Sequence, residues 1–168
     1  MFQYQPSDKC FRCFDCRFCG NVQIPNLPLK GPKCFEEILQ CIRRAIEDEA
    51  NTAEFYCHLL REAPNKLNKD YIQHAYNDEL VHLEVFKKLY CYYTDSEPKC
   101  TLTPITCPCY KEGLLIALNG ELATVEFYRD VQLYTMDQLI IDTFYMVMVD
   151  EQGHATMFST LYNSLCKS

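Results

Sequence analysis

The chain has 168 residues, of which 48% are hydrophobic, and a formal net charge of −7. A domain of this length can bury a substantial core, and the negative charge argues against nucleic acid as a partner. The sequence contains no apolar run of roughly 18 residues that could span a membrane. Its start lacks the pattern of a signal peptide, so we expect a cytoplasmic protein.

The first segment of the chain is rich in Cys, Phe, Pro and Gly. Its end, residues 25–32, contains three prolines and one glycine, and these residues are incompatible with a helix. We therefore predict a Cys-rich tail and a Pro-rich linker over residues 1–33. A second, helical unit should follow over residues 34–168.

Four helices are predicted after the linker, because apolar residues recur there with the spacing of one helix face. They cover about residues 35–62, 68–93, 110–134 and 137–165. Pro64 ends the first helix, since proline cannot continue the helical hydrogen bonds. The connection over about residues 94–109 is long enough to run back along a bundle. The sequence thus predicts an all-α fold, a four-helix bundle with one long crossover.

The two predicted hairpins repeat each other at a constant offset of 72 residues, the distance from Glu49 to Glu121. EANTAEFY at residues 49–56 becomes ELATVEFY at residues 121–128, and DELVH at residues 78–82 becomes DEQGH at residues 150–154. A fixed period indicates that one helical hairpin is the repeated unit. Two lone glutamates and two Glu-x-x-His pairs recur in this way: Glu49, Glu79, His82, Glu121, Glu151 and His154.

All six residues lie in the middle of otherwise apolar helix faces. Burying ionised carboxylates without partners is strongly unfavourable, so we expect cations between the four glutamates. A Glu and a His three residues apart point to one place on a helix. We therefore predict two metal ions, with Glu79 and Glu151 able to bridge both. Oxygen-rich ligation with one imidazole per ion favours iron or manganese over structural zinc.

Two repeated aspartates precede the glutamates of the Glu-x-x-His pairs. Histidines that bind a metal usually donate their other ring N–H to a carboxylate. We predict that Asp78 accepts from His154 and that Asp150 accepts from His82, across the bundle. The alternative is that both aspartates are simply exposed on their helices.

Further repeated residues flank the lone glutamates. Tyr56 and Tyr128 lie two turns beyond them on the same faces, where they can hydrogen-bond a ligand carboxylate or only fill the core. Glu54 and Glu126 also recur, but they fall off the apolar face. We expect these two glutamates to lie in solvent.

The set Glu49…Glu79-x-x-His82…Glu121…Glu151-x-x-His154 resembles that of the ferritin-like superfamily, over about residues 35–165. The subgroup that it most resembles is the rubrerythrin-like proteins. The resemblance implies a non-haem di-iron centre, less often manganese, that reacts with hydrogen peroxide or dioxygen in a homodimer or larger oligomer. It implies that the six residues are metal ligands and that the four glutamates are catalytic.

The chain departs from rubrerythrins in two respects. Rubrerythrins carry an extra glutamate three residues after the ligand of the third helix, where this chain has Thr124. The site is therefore symmetric, as in bacterioferritin, and a ligand exchange of the rubrerythrin type is not expected. The chain also lacks the two widely separated Cys-x-x-Cys knuckles of a rubredoxin module.

The chain has 12 cysteines, and in a cytosolic protein these are more often thiols or metal ligands than disulfides. Four of them, in the tail, can bind zinc, iron or an iron–sulfur cluster, or form a reducing or cross-linkable tail: Cys10, Cys13, Cys16 and Cys19. Additional ligands for such a site can come from another subunit or from Cys34, Cys41, Cys100, Cys107 and Cys109. The remaining helical cysteines are expected to be small buried hydrophobic residues: Cys57, Cys91 and Cys166.

These features together predict a rubrerythrin-like oxidoreductase of oxidative stress defence, which reduces peroxide or dioxygen with electrons from an unknown donor. Within the same fold, the alternative is a manganese catalase-like or iron-oxidising protein. A structural protein of the spore-coat type is the alternative from another class, because 12 tyrosines and 12 cysteines suit oxidative cross-linking. A coat protein should neither hold metal nor turn over peroxide.

Overall fold

The structure is a computed structural model, and it describes residues 33–165. Within this part of the chain there are four long helices and no strand: α1 (Phe35–Glu62), α2 (Lys66–Thr94), α3 (Tyr110–Leu133) and α4 (Gln138–Leu165). α1 packs along α2, α3 packs along α4, and the two hairpins face each other. The predicted four-helix bundle with one long crossover is confirmed. None of the described helices is long and apolar enough to cross a membrane.

Two helices begin at positions that their capping residues determine. The Asn65 side chain accepts a hydrogen bond from the Asn68 backbone N–H at 3.1 Å, so α2 begins two residues earlier than predicted. The Asp137 carboxylate accepts from the backbone N–H groups of Leu139 and Ile140 at 3.0 and 3.4 Å. Asp137 is therefore the cap of α4 rather than its first residue, as expected of a short polar side chain at that position.

The interior consists of two hydrophobic clusters with a polar layer between them. One cluster lies at the end of the bundle where α1 and α4 begin, and it contains Ile42, Phe86 and Phe144. The other lies at the opposite end and contains Leu59 and Ile72. The six repeated Glu and His residues lie between the two clusters and are each 3% exposed or less. Apolar burial on both sides holds the helices together around this layer.

The crossover between α2 and α3 lies against α1. The Thr103 backbone N–H donates to the Asn51 side chain at 2.6 Å. A Cβ atom at Gly113 would lie 2.4 Å from Leu59 Cδ2 and 3.2 Å from Cys107 Sγ. Glycine at this position therefore lets the start of α3 approach both α1 and the crossover.

The cysteines of the helices are less buried than their sequence context suggests. Cys41 is buried, but Cys57 and Cys91 are only partly buried, so the expectation of fully buried residues is wrong for these two. The Cys57 thiol lies 3.7 Å from the Arg61 guanidinium, at the edge of the apolar face of α1. Most of the predicted tail lies outside the described residues, as do Cys10, Cys13, Cys16, Cys19 and Cys166.

Candidate metal centre

The four helices bring the six predicted ligands into one layer. Each Glu-x-x-His pair lies on a single helix, α2 or α4, and the lone glutamates come from α1 and α3. Potential ligand atoms form two groups of four, with the atoms of each group within 4.8 Å of one another. The groups are Glu49, Glu79, His82 and Glu151, and Glu79, Glu121, Glu151 and His154. They share Glu79 and Glu151, so two ions, one in each group, would have these carboxylates in common.

Both imidazoles direct Nδ1 towards the carboxylates. His82 Nδ1 lies 3.5 Å from Glu49 Oε2 and 3.1 Å from Glu151 Oε1. His154 Nδ1 lies 3.3 Å from Glu79 Oε1 and 3.0 Å from Glu151 Oε2. The ring centres are 6.0 Å apart. Glu151 therefore contacts both imidazoles, one through each oxygen.

The donor atoms of this layer fit a pair of cations. Four inward-facing atoms make no hydrogen bond within the described part of the chain: Glu49 Oε2, Glu79 Oε1, His82 Nδ1 and Glu151 Oε1. His82 Nδ1 and Glu151 Oε1 are close enough for an ion pair but are not aligned for a hydrogen bond. Buried polar atoms are rarely left without partners. Carboxylate oxygens with one imidazole per ion form a donor set suited to iron or manganese.

The carboxylates of the layer cannot all carry their charge without a cation. Burial raises the pKa of Glu79 well above its usual value, and the carboxylates of Glu49 and Glu151 raise it further. Burial also raises the pKa of Glu121 well above its usual value, and Glu151 adds to the effect. The carboxylates of each group have ligand atoms within 4.8 Å of one another, and like charges this close disfavour each other's ionised form.

The imidazoles and Glu151 stabilise each other's charged forms. Burial alone would raise the pKa of Glu151, but its contacts with His154 and His82 outweigh burial and lower it to about 2. Burial would lower the pKa of His82, but the carboxylates of Glu151 and Glu49 raise it to about 10. The pKa of His154 is also raised, chiefly by Glu151 and against the effect of burial. Bound cations would replace the protons that the layer otherwise holds.

Comparison with known proteins places this geometry in a known fold. No family model and no curated protein matches the sequence. Among solved structures, a bacterioferritin of Rhodobacter capsulatus is similar with a TM-score of 0.69 and 20% identity, over 80% of this chain and 89% of its own. A hypothetical protein from Pyrococcus furiosus has a TM-score of 0.70 and 19% identity, over 77% and 90%. A dodecameric thioferritin from Bacteroides fragilis has a TM-score of 0.67 and 11% identity, over 79% and 88%.

The fold is ferritin-like. This confirms the fold that the resemblance of the ligand pattern implied. Identities of 20% and below establish the fold alone, so the narrower rubrerythrin-like subtype stays a prediction.

In the ferritin-like bundle, the two aspartates contact the outer nitrogens of the imidazoles. His154 Nε2 lies 3.2 Å from Asp78 Oδ2, and His82 Nε2 lies 3.3 Å from Asp150 Oδ2. Both contacts cross between α2 and α4. A proton on Nε2 that is donated to the aspartate leaves Nδ1 with its lone pair towards the glutamates, the tautomer that can bind a metal.

Two buried tyrosines contact the lone glutamates from opposite sides of the layer. The Tyr56 hydroxyl donates to Glu121 Oε1, and the Tyr128 hydroxyl donates to Glu49 Oε1. Burial raises the pKa of each tyrosine well above its usual value, and the nearby carboxylates raise it further. The tyrosines therefore stay protonated and act as donors. Each one links its own hairpin to a glutamate of the other.

One neighbour of the site was missed in the sequence. His74 Nε2 lies 3.2 Å from Asp78 Oδ2, so Asp78 contacts His74 and His154 together. The repeat gave no signal for His74, because the equivalent position of α4 is Met146. The available signal was the four-residue spacing from His74 to Asp78, which places both side chains on one helix face.

Proposed function

We propose that this chain is a non-haem dimetal oxidoreductase that holds two iron ions and reduces hydrogen peroxide or dioxygen. The observation that carries the proposal is the pair of four-residue groups that share Glu79 and Glu151. Bound ferrous ions would supply Lewis acidity and one electron each, and these two electrons with two protons taken up from the buffered solvent balance the reduction of one hydrogen peroxide to two waters.

The residues of the layer would have distinct tasks. Glu49 and His82 would hold one ion, Glu121 and His154 would hold the other, and the shared glutamates would contact both. Manganese could occupy the same donor set. The tyrosine hydroxyls hold one oxygen of each lone glutamate, and the second oxygen of Glu49 makes no hydrogen bond within the described part of the chain. Almost complete burial of the layer limits the contact of the reacting groups with bulk water.

The solved structures are consistent with this proposal in outline. The Rhodobacter capsulatus bacterioferritin has a dinuclear site, and the Bacteroides fragilis thioferritin is a dodecamer. We propose that this chain also assembles, at least into a homodimer. The proposed site is complete within one chain, so its chemistry does not depend on the size of the assembly.

Metal analysis combined with peroxide consumption tests the proposal. Protein loaded anaerobically with ferrous iron should bind two ions per chain and consume hydrogen peroxide, repeatedly when a chemical reductant is supplied. The Glu79→Gln, Glu151→Gln double variant should lose both properties. An iron-loaded wild-type protein that reacts with neither peroxide nor dioxygen would refute the oxidoreductase and favour the structural, coat-type alternative.

Oxidation of iron as the substrate is a second candidate, because bacterioferritin and thioferritin structures share this fold. Excess ferrous iron in air distinguishes the two. An iron-oxidising protein should convert many equivalents of iron per chain to ferric product. The proposed oxidoreductase should stop near the site stoichiometry unless another reductant is present. A manganese catalase-like protein should instead disproportionate peroxide with manganese bound and no reductant.

A further inference from the structure

A cavity reaches the glutamates from one side of the bundle. It has a volume of about 70 Å³ and lies where α1 and α3 face each other. All four glutamates of the layer contribute to its wall, whereas neither histidine does. The imidazoles lie on the opposite, α2–α4 side, where Asp78 and Asp150 contact them. A small molecule in this cavity would therefore meet the carboxylate side of the proposed metal pair.

The mouth of the cavity is formed by residues that the repeat does not share. Ile105, from the crossover, and Gly120, from α3, line the cavity and are also exposed. Gly120 is the repeat counterpart of Asp48, which lines the same cavity from α1. A Cβ atom on Gly120 would meet nothing within 4 Å. The opening therefore lies between Gly120, which has no side chain, and Ile105, which is the residue that the crossover contributes to the cavity wall.

The lining favours a neutral molecule over an ion. Between the mouth and the glutamates the wall is made of uncharged residues: Thr52, Phe55, Ile116, Ala117 and Thr124. Asp48 adds a charge at the rim, but it is paired with Arg44 at 3.2 Å. A cavity needs about 10–15 Å³ of this kind of volume to hold one water molecule, so this cavity has room for a molecule the size of peroxide.

We infer that this mouth is the entrance for the oxidant, and that Gly120 and Ile105 limit the size of what can pass. Hydrogen peroxide and dioxygen reach the glutamates, whereas hydroperoxides with branched or aromatic groups are excluded. The inference rests on the proposed function and deepens it, because it names the residues that select small neutral oxidants.

Gly120→Leu tests the entrance, with Gly153→Leu as its matched control. Both glycines lie within helices, and at both a Cβ atom would meet nothing within 4 Å. Each precedes a proposed ligand by one residue, but only Gly120 lines the cavity. Replacing glycine in a helix with leucine raises helix propensity, so we expect both variants to fold.

Nitric oxide provides a readout that is independent of turnover. It is a small neutral molecule that binds ferrous iron, and its binding to the reduced, iron-loaded protein can be followed by absorbance. Gly120→Leu should slow both nitric oxide binding and peroxide consumption by about tenfold or more, on the scale of size discrimination in tight pockets. Gly153→Leu should match the wild type, and both variants should bind as much iron as the wild type.

Ile105→Ala should have the opposite effect on selectivity. The shorter side chain widens the mouth, so the rate with tert-butyl hydroperoxide relative to hydrogen peroxide should rise by about tenfold. Binding of nitric oxide, which already passes, should change little. An unchanged ratio of the two peroxide rates in Ile105→Ala would overturn the role of Ile105.

The remaining outcomes separate this inference from the proposed function. Equal nitric oxide binding rates in Gly120→Leu and Gly153→Leu would overturn the entrance even if the wild type consumes peroxide. A loss of iron in Gly120→Leu would also overturn it, since Gly120 would then act by supporting the ligands. An iron-loaded wild type that binds nitric oxide but reduces no oxidant would overturn the proposed function and not the route of access.

Discussion

The two helical hairpins are alike in the buried ligand layer and different at the surface around it. In the interior, every proposed ligand, its aspartate partner and its tyrosine donor has a counterpart in the other hairpin. On the outside, Asp48 of α1 corresponds to Gly120 of α3, and His74 of α2 corresponds to Met146 of α4. The residues that the two hairpins share therefore form the ligand layer, whereas the residues that they do not share form the surface around it.

The largest expected effect tests whether some glutamates of the layer serve both proposed ions and others only one. Glu79→Ala should abolish binding of both ions, because Glu79 belongs to both four-residue groups. Glu49→Ala and Glu121→Ala should each weaken mainly one ion, because each residue belongs to one group. Metal analysis at equilibrium with a weak chelator reports these losses. Equal losses in all three variants would contradict a bridging role for Glu79.

The next prediction concerns the stability of the metal-free bundle, in which both hairpins contribute carboxylates to one layer. The pKa values of Glu79 and Glu121 are raised above 4.5. Their contribution to stability is therefore fully present below pH 4.5 and is lost as the pH rises through the raised values. The pKa of His82 is raised from 6.5 to about 10, so its contribution is fully present below pH 6.5 and is lost as the pH rises through about 10. The pKa of Glu151 is instead lowered from 4.5 to about 2. Its contribution to stability is therefore fully present above pH 4.5 and is lost as the pH falls through about 2.

Metal-free protein should therefore be more stable at about pH 5 than at about pH 8. A difference of about 2 kcal/mol would shift the melting temperature by about 4–8 °C in a chain of this size. Metal should remove most of this pH dependence, because cations replace the protons. Circular dichroism melts with and without chelator measure the effect. A melting temperature that depends on neither chelator nor pH would contradict the proposed layer.

The next prediction tests whether the repeated aspartates, which contact the imidazoles, contribute to metal binding. Asp78→Ala and Asp150→Ala should each reduce metal affinity or peroxide turnover by about 10–100-fold, the usual effect of removing the partner of a metal-binding histidine. The matched controls are Glu54→Ala and Glu126→Ala, which recur at the same offset and are exposed but fall off the helix faces that carry the ligands. They should change neither quantity. If all four variants behave alike, contact with the imidazoles is not what makes the aspartates matter.

The repeat explains why so much of this structure could be predicted from the sequence. The apolar periodicity gives all four helices, because each helix buries one continuous face, and it errs only at caps such as Asn65 and Asp137. The Glu-x-x-His spacing gives the convergence of each ligand pair, because residues three apart lie on one face of a helix. These are properties of regular elements, which local sequence determines.

The features that could not be predicted depend on irregular backbone and on residues without a repeat counterpart. Ile105 lies in a Pro-rich connection, so no periodicity indicates that it covers the α1–α3 side. The sequence around Gly120 does not distinguish it from any other glycine in a helix, because only the structure shows the cavity beside it. Cys57 and Cys91 lie at the edges of apolar helix faces. At such positions the sequence pattern does not distinguish a partly buried side chain from a fully buried one.

The smallest expected effect tests the difference between the hairpins at the aspartates. Asp78 contacts His74 as well as His154, whereas Asp150 has Met146 in the place of His74. The His74 side chain is 58% exposed, and exposed ion pairs contribute at most about 1 kcal/mol. His74→Ala should therefore weaken metal binding by no more than about fivefold, and only at the ion held by His154.

Met146→Ala is the control at the equivalent position, and it should leave both ions unchanged. Titration with a metal whose two binding steps are resolved optically, such as cobalt, would show which ion is affected. If His74 acts on Asp78 through charge, high salt should remove the effect of His74→Ala, because exposed charges are screened. A larger loss, or one that persists in high salt, would mean that His74 holds Asp78 in place by more than charge. Equal effects of the two variants would show that the hairpins are functionally alike in spite of their different outer surfaces.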